Sequence, residues 1–279
     1  MNKAKAQSIL SRLMNVATAN HVVYNEILLR YAIERIIYRI GRSSLAGRFI
    51  LKGGNLFVLW TGGFNCRPTM DADFELRGEI DEGKAFKYFR DLAAMDTEEL
   101  DGVVVDGKTV SVEPIRDDDE YGGLRISMRI GIGTAKVPVQ LDIGIGDAIT
   151  PVAKLADFPT LLEMDAPRIR VYPKETVIAE KYQTIVHRGM ANSRMKDYYD
   201  LYVLGHDEGV DAAILQKAIA NTFKRRGTEL PKGIPSGLSD EFAENDSKKR
   251  QWRSFLAKHR LSDEFDLKQV VEYLRQFLL

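Results

Sequence analysis

Between Val22 and Ile40 the apolar residues Val23, Ile27, Leu28, Ala32, Ile36 and Ile37 recur at helical spacing, with Arg30, Glu34 and Arg39 interleaved. That pattern predicts an amphipathic helix. Arg48 to Leu51 reads as a short strand, and Gly53-Gly54 opens a second helix toward Trp60. Thr69 to Leu76 alternates apolar and polar positions as a strand does, and Lys84 to Ala94 returns to helical spacing. From Val103 to Gly146 short β-type runs follow one another, among them Val103 to Val105, Leu124 to Ile130 and Val137 to Ile145, punctuated by glycines.

After Gly146 the character of the chain changes. Pro151 and Pro159 fall in a connection, and from Pro173, suited to a first helical turn, helical spacing dominates: Thr176 to Val186, Asp197 to Leu204 and Asp211 to Phe223. A break at Gly227 to Ser239 carries Pro231, Gly233, Pro235 and Gly237, and terminal helices are predicted near Gln251 to His259 and Leu267 to Leu279. The pattern predicts an α+β half over residues 1–150, with N-terminal helices, followed by a mainly helical domain over 151–279.

Composition narrows this picture. A chain of 279 residues allows one or two domains, and 44% hydrophobic with 29% charged residues is ordinary for a globular protein. Forty basic and forty acidic side chains cancel, so only local clustering can argue for a nucleic-acid or acidic partner. A single cysteine, Cys66, excludes an intrachain disulfide and suits a reducing compartment; it reads as a small semi-buried residue rather than a nucleophile. No signal-peptide core follows Met1, and no run approaches the roughly 18 apolar residues of a membrane helix. A cytoplasmic protein with no membrane partner is expected. His21, His187, His206 and His259 are scattered without zinc spacing, and there is no Walker A loop, nucleophile elbow or dinucleotide fingerprint.

The chemistry concentrates around Lys52-Gly53-Gly54 and the run Arg67-Pro68-Thr69-Met70-Asp71-Ala72-Asp73-Phe74. With a period of two, Met70, Ala72, Phe74 and Leu76 take the core side, while Thr69, Asp71, Asp73 and Glu75 share the other. Two carboxylates at i and i+2 repel each other, and a hard divalent cation removes that repulsion. Taken alone, the pair fits a solvated sheet face better. Three features shift the balance. Gly53 and Gly54 let backbone N–H groups approach a phosphate, although a tight turn needs glycines too. Arg67 precedes the strand, where its fork can clamp phosphate oxygens or simply meet solvent. The run Val137 to Gly146 sorts likewise: Val137, Val139, Leu141, Ile143 and Ile145 are apolar, with Gln140, Asp142, Gly144 and Gly146 opposite. Asp142 is therefore a candidate third carboxylate, and a solvated edge acid is about as good a local account.

This Gly-Gly pair followed by Arg-x-Thr-x-Asp-x-Asp-Phe resembles the AbiEii/AbiGii nucleotidyltransferase toxins, which include MenT-like toxins, in the DNA polymerase β-like superfamily. The resemblance spans about Lys52 to Leu204, and its most specific block is Arg67 to Phe74. The Gly-Gly form departs from the Gly-Ser alternative, so no serine hydroxyl helps hold the triphosphate.

The helical half supplies a second block. Lys181 lies between Val177 and Ile185 on a partly apolar helix face, where it can snorkel to water or point into a cleft. Arg194-Met-Lys196-Asp197-Tyr-Tyr-Asp200-Leu puts Asp197 and Asp200 in a first helical turn, where capping is the default role. The resemblance assigns Lys181, Lys196 and Asp197 to the active site and leaves Asp200 structural. Lys224 to Arg226 and Lys248 to Arg250, with Trp252 and Arg253, are basic enough to meet RNA phosphates, with Trp252 available for stacking, but such runs are usually solvated.

The resemblance implies a polymerase-β-like core with a mixed sheet, closed over its cleft by the C-terminal helical domain. Asp71, Asp73 and Asp142 would hold Mg²⁺ (or Mn²⁺), with catalysis shared by Lys181 and Asp197. Lys52, Gly53, Gly54, Arg67, Thr69, Lys181 and Lys196 would bind the nucleoside triphosphate, and pyrophosphate would leave. The implied protein is the toxin of a toxin–antitoxin or phage-defence pair, with an antitoxin encoded nearby and the tRNA 3′ end as preferred acceptor. A protein hydroxyl as acceptor, a nucleotide-binding regulator without turnover, and a module that mainly binds RNA or another protein are the alternatives.

Overall fold

The computed structural model describes residues 3–64, 67–115 and 122–279, so Cys66 lies outside the described residues. Two compact units divide the chain, one made of Met1–Gly146 and Lys154–Val171, the other of Asp147–Ala153 and Tyr172–Leu279.

The first unit opens with helices α1 (Lys3–Ala19) and α2 (Tyr24–Arg42). There follow β1 (Phe49–Lys52), α3 (Asn55–Trp60), β2 (Ala72–Leu76), α4 (Glu82–Ala93) and α5 (Glu98–Asp101). The remaining strands are β3 (Val103–Ile115), β4 (Gly123–Ile132), β5 (Ala135–Ile145), β6 (Lys154–Asp157) and β7 (Arg168–Val171). Among the described residues, seven strands form one mixed sheet in the order β3-β4-β5-β2-β1-β7-β6. Strand β2 runs antiparallel to β1 and parallel to β5, while β1 runs parallel to β7. The class read from the sequence, α+β with a mixed sheet followed by a mainly helical segment, is the observed one.

Local packing explains these elements. In β4, Leu124, Ile126, Met128, Ile130 and Ile132 are buried and the residues between them are not, the alternation of a strand covered on one face. Helix α4 starts at Asp81, whose side chain accepts from the Lys84 N–H at 2.7 Å, and it buries Tyr88 and Phe89. Phe49 of β1 stacks on Tyr88 at 5.3 Å and meets Phe74 of β2 edge-on at 5.9 Å. Burying each such ring contributes about 1.5–3 kcal/mol, which fixes the β1–β2 pair that carries the acids.

Three local expectations change. The strand predicted from Thr69 begins at Ala72, the first residue with a register partner, Leu141, so Asp71 sits just ahead of the ladder and Met70 is 64% exposed rather than core. The polar positions of α2 do not form a solvent face. Glu34, Arg35 and Arg39 are buried: Glu34 accepts from the Leu161 N–H at 2.7 Å, and Arg39 pairs with Asp101 at 3.1 Å. Pro151 and Pro159 both lie in connections as read, but β6 interrupts the stretch between them, and its pairing with β7 returns the chain to the sheet.

The second unit contains α6 (Lys174–Arg188), α7 (Met195–Gly205), α8 (Ala212–Arg225), α9 (Asp240–Glu244), α10 (Asp246–His259) and α11 (Leu267–Leu278). Helix α6 packs on α7 and α8, and α11 packs on α7. Tyr198 stacks on Phe242 at 5.1 Å, and its hydroxyl donates to the Gly237 carbonyl. Helix α11 carries a capping box, with Asp266 accepting from the Gln269 N–H and the Gln269 side chain accepting from that of Asp266. Among the described residues, no helix is long and apolar enough to cross a membrane.

Candidate active site

The register of four adjacent strands builds the first cluster. Lys52 of β1 is the partner of Asp73 of β2, Asp73 that of Asp142 of β5, and Asp142 that of Arg125 of β4. Register partners point to the same face, so one row across the sheet reads Lys, Asp, Asp, Arg. Asp71 joins from the segment before β2, where the Asn55 side chain donates to its backbone carbonyl at 2.7 Å. One carboxylate oxygen from each of Asp71, Asp73 and Asp142 falls within 4.8 Å of the others, and all three are half-buried. Three such acids form a donor set suited to a hard divalent cation.

The ends of the row balance its charge. Arg125 donates to both oxygens of Asp142, at 2.9 and 2.7 Å, and Gln140 adds a bond of 3.2 Å. Lys52 pairs diagonally with Glu75 at 3.5 Å. Gly144 leaves room for that pair: a Cβ there would lie 3.0 Å from Glu75 Oε2 and 3.3 Å from Lys52 Nζ.

Beside the acids, the glycine turn forms a cradle. Gly53 has φ +70°, and a Cβ on it would stand 1.9 Å from Asp73 Oδ2. A Cβ on Gly54 would stand 2.4 Å from Thr69 Oγ1 and 3.3 Å from an Arg67 guanidinium nitrogen. The Thr69 hydroxyl is buried with no hydrogen-bond partner among the described residues, and Arg67 is nearly buried. An orphaned hydroxyl and an arginine over a side-chain-free turn fit a bound phosphate oxygen.

The second unit holds the other cluster. On α6, Lys181 Nζ lies 2.7 Å from Asp197 and 2.8 Å from Asp200, both on α7, and Arg194 pairs with Asp197 at 2.9 Å. Burial alone would raise the Asp197 carboxyl, but Lys181 and Arg194 outweigh it and hold that group well below the usual carboxylate range. Asp200, set apart as structural, is as close to Lys181 as Asp197 is. Lys196 is exposed at the start of α7. In the basic runs, Arg226 is held by Asp147 and Glu180, Lys248 donates to the Asn192 carbonyl, and Lys249 pairs with Glu244. Trp252 is buried with its indole N–H on the Phe265 carbonyl, so it is not a free stacking surface.

Sequence reasoning missed Arg125 and Asn55 as parts of the acid cluster, and it put Glu75 on the face of the acids without giving it a role. Alternation along Leu124 to Ile130 puts Arg125 on the polar side, but its pairing with Asp142 depends on register, which alternation does not set.

Fold and family together place the chain in a class: it is a nucleotidyltransferase. The model of the family described as "Nucleotidyl transferase AbiEii toxin, Type IV TA system" matches residues 35–272, and the chain belongs to that family. Among solved structures it is similar to JHP933 from Helicobacter pylori, with 16% identity, 89% of each chain covered and a TM-score of 0.51, a likeness of fold. An antigenic nucleotidyltransferase-like protein from Paracoccidioides brasiliensis shares 14% identity over 71% of this chain and 88% of its own, with a TM-score of 0.40. No curated protein matches the chain.

Proposed function

We propose that this toxin transfers a nucleotide from a nucleoside triphosphate to the 3′ end of tRNA, releasing pyrophosphate, in a reaction that depends on Mg²⁺ or Mn²⁺. The observation that supports it best is the convergence of Asp71, Asp73 and Asp142 within 4.8 Å beside the Gly53-Gly54 cradle. When bound, a divalent cation supplies charge neutralisation and polarises phosphoryl oxygens.

The chain's own residues divide the work. Asp71 and Asp73 offer hard oxygen ligands, and Asp142 keeps lone pairs beyond those that Arg125 engages. Gly53, Gly54, Arg67 and Thr69 receive phosphate oxygens, with Lys52 held nearby by Glu75. Asp142 accepts the proton of the attacking hydroxyl. Lys181 and Lys196 bind the nucleotide, and Asp197 orients Lys181 through their 2.7 Å ion pair. A cognate antitoxin, the partner that the family implies, restrains the activity in a toxin–antitoxin or phage-defence setting.

The test is incubation of the protein with Mg²⁺, each α-³²P-labelled nucleoside triphosphate and total tRNA, beside Asp71→Ala and a chelated control. Label on tRNA with the parent alone is the expected result. Label on protein would replace the acceptor, and nucleotide binding without any labelled acceptor would overturn turnover itself.

A further inference from the structure

Helix α10 carries a stripe that its buried residues leave outside: Arg250, Ser254, Phe255, Lys258 and His259 follow at helical spacing, while Trp252 and Leu256 point into the second unit. Together with Arg194 and Lys196 at the start of α7, these residues line a cavity of about 530 Å³ whose wall, among the described residues, contains no acidic side chain.

Of the other basic side chains of the helix, Arg253 is exposed but does not line the cavity. Lys248 and Lys249 are each engaged, by the Asn192 carbonyl and by Glu244. Arg250 and Lys258 are exposed, and neither makes an ion pair among the described residues, whereas Lys196, assigned above to the nucleotide, shares the charge of Asp197 with Lys181 and Arg194. Arg194 is compensated by Asp197. Uncompensated cations around one concavity repel one another and raise the local concentration of anions, so the cavity is suited to a polyanion. Its wall also holds aromatic surface. Phe255 is half-buried, braced by Tyr199 at 5.8 Å and Trp252 at 5.9 Å, with the His259 ring 4.9 Å away. A braced aromatic ring among unpaired cations is the combination that receives single-stranded nucleic acid, bases on the ring and phosphates on the cations.

We propose that the α7–α10 cavity is a docking site for single-stranded RNA, with Arg250 and Lys258 on its phosphates and Phe255 under a base. This deepens the acceptor reading above and rests on it for the biological identity of the strand, not for the binding itself.

The test measures binding of a fluorescein-labelled single-stranded RNA oligonucleotide by anisotropy across a salt series, together with label transfer to tRNA. The proteins compared are the parent, Arg250→Ala/Lys258→Ala, Phe255→Leu, and Arg129→Ala/Lys136→Ala as a basic control on the first unit. Each phosphate contact contributes about 0.7 to the log–log salt slope for single strands, so the Arg250/Lys258 pair is expected to lower it by about 1.4. Its affinity at low salt falls at least about tenfold, and Phe255→Leu, which keeps apolar volume, loses about tenfold. The Arg129/Lys136 control stays near the parent, and triphosphate binding is unchanged throughout.

If tRNA is labelled but the α10 variants bind and label like the parent, the docking site is overturned and the transfer reading stands. If the parent labels no RNA yet binds the oligonucleotide through these residues, the docking site stands and the tRNA reading falls. Equal losses from the α10 variants and the Arg129/Lys136 control overturn the site, as does an absence of RNA binding. A polyglutamate peptide of equal charge competing as well as RNA overturns the choice of ligand.

Discussion

Both carboxylate oxygens of Asp142 accept hydrogen bonds from the guanidinium of Arg125, its register partner on the neighbouring strand. Arg125 and a cation at the acid cluster therefore draw on the same carboxylate. A partly exposed pair of this kind is worth about 1 kcal/mol. Removing it in Arg125→Ala is expected to tighten Mn²⁺ or Mg²⁺ binding about fivefold in a calorimetric titration, while transfer slows because Asp142 is less well oriented. Unchanged or weaker metal binding would show that the guanidinium does not compete.

Three carboxylates held within 4.8 Å repel in the absence of a cation. Asp73→Asn relieves that repulsion, so in chelator the variant should melt at or above the temperature of the parent. Its rise in melting temperature on adding Mg²⁺, expected for any ligand that binds only the folded state, should vanish. Transfer should fall more than about 100-fold, beyond the loss typical of residues that merely support metal ligands.

Gly53 and Gly62 both have positive φ, +70° and +75°, but only a Cβ at Gly53 would meet Asp73, whereas one at Gly62 meets nothing within 4 Å. Alanine at either position costs about 1–2 kcal/mol of backbone strain. Gly53→Ala alone should also weaken metal-induced stabilisation, because Asp73 must move. Thermal melts with and without Mg²⁺ separate the two effects.

Lys181 stands between Asp197 and Asp200, whose side chains are 2% and 0% exposed. Lys181→Ala leaves two buried carboxylates without it, a loss of about 3–5 kcal/mol. Urea unfolding followed through the buried Trp252, in a Trp60→Phe background, is expected to show that loss. A change below 1 kcal/mol would mean that the cluster relaxes into water.

Burial raises the carboxyl of Glu34 from 4.5 to about 7, only partly opposed by Arg35 and by the Leu161 N–H. The folded state thus holds this proton more tightly than the unfolded chain. The resulting stabilisation is complete below pH 4.5 and is lost as pH rises through about 7, an effect on the order of 3 kcal/mol. Glu34→Gln should flatten that part of the stability–pH curve, read from urea midpoints between these limits. An unaltered slope would assign the pH dependence elsewhere.

The residues of the acid cluster were largely legible in the sequence. Alternation placed Asp73 and Asp142 opposite the apolar faces of β2 and β5, because side chains of a strand alternate whatever its partners. The glycines, Arg67 and Thr69 were legible as neighbours of that strand. The polar residues of α2 misled because spacing shows which residues share a face, not whether another element covers it. Glu34 and Arg35 are buried where their partners, the Leu161 N–H and the Asp165 carbonyl, arrive from the segment between β6 and β7.

What the sequence alone determined is thus the set of candidate groups, the face each takes within its own element, and, through its motifs, the family. Only the tertiary structure decided that Asp73 lies opposite Asp142, that Arg125 rather than water balances Asp142, and that Trp252 is core while Phe255 lines a basic cavity. The reason is physical. Alternation and helical spacing follow from local backbone geometry, whereas register and burial are set by long-range packing, and a slip of one residue between β2 and β5 would put their acids on opposite faces.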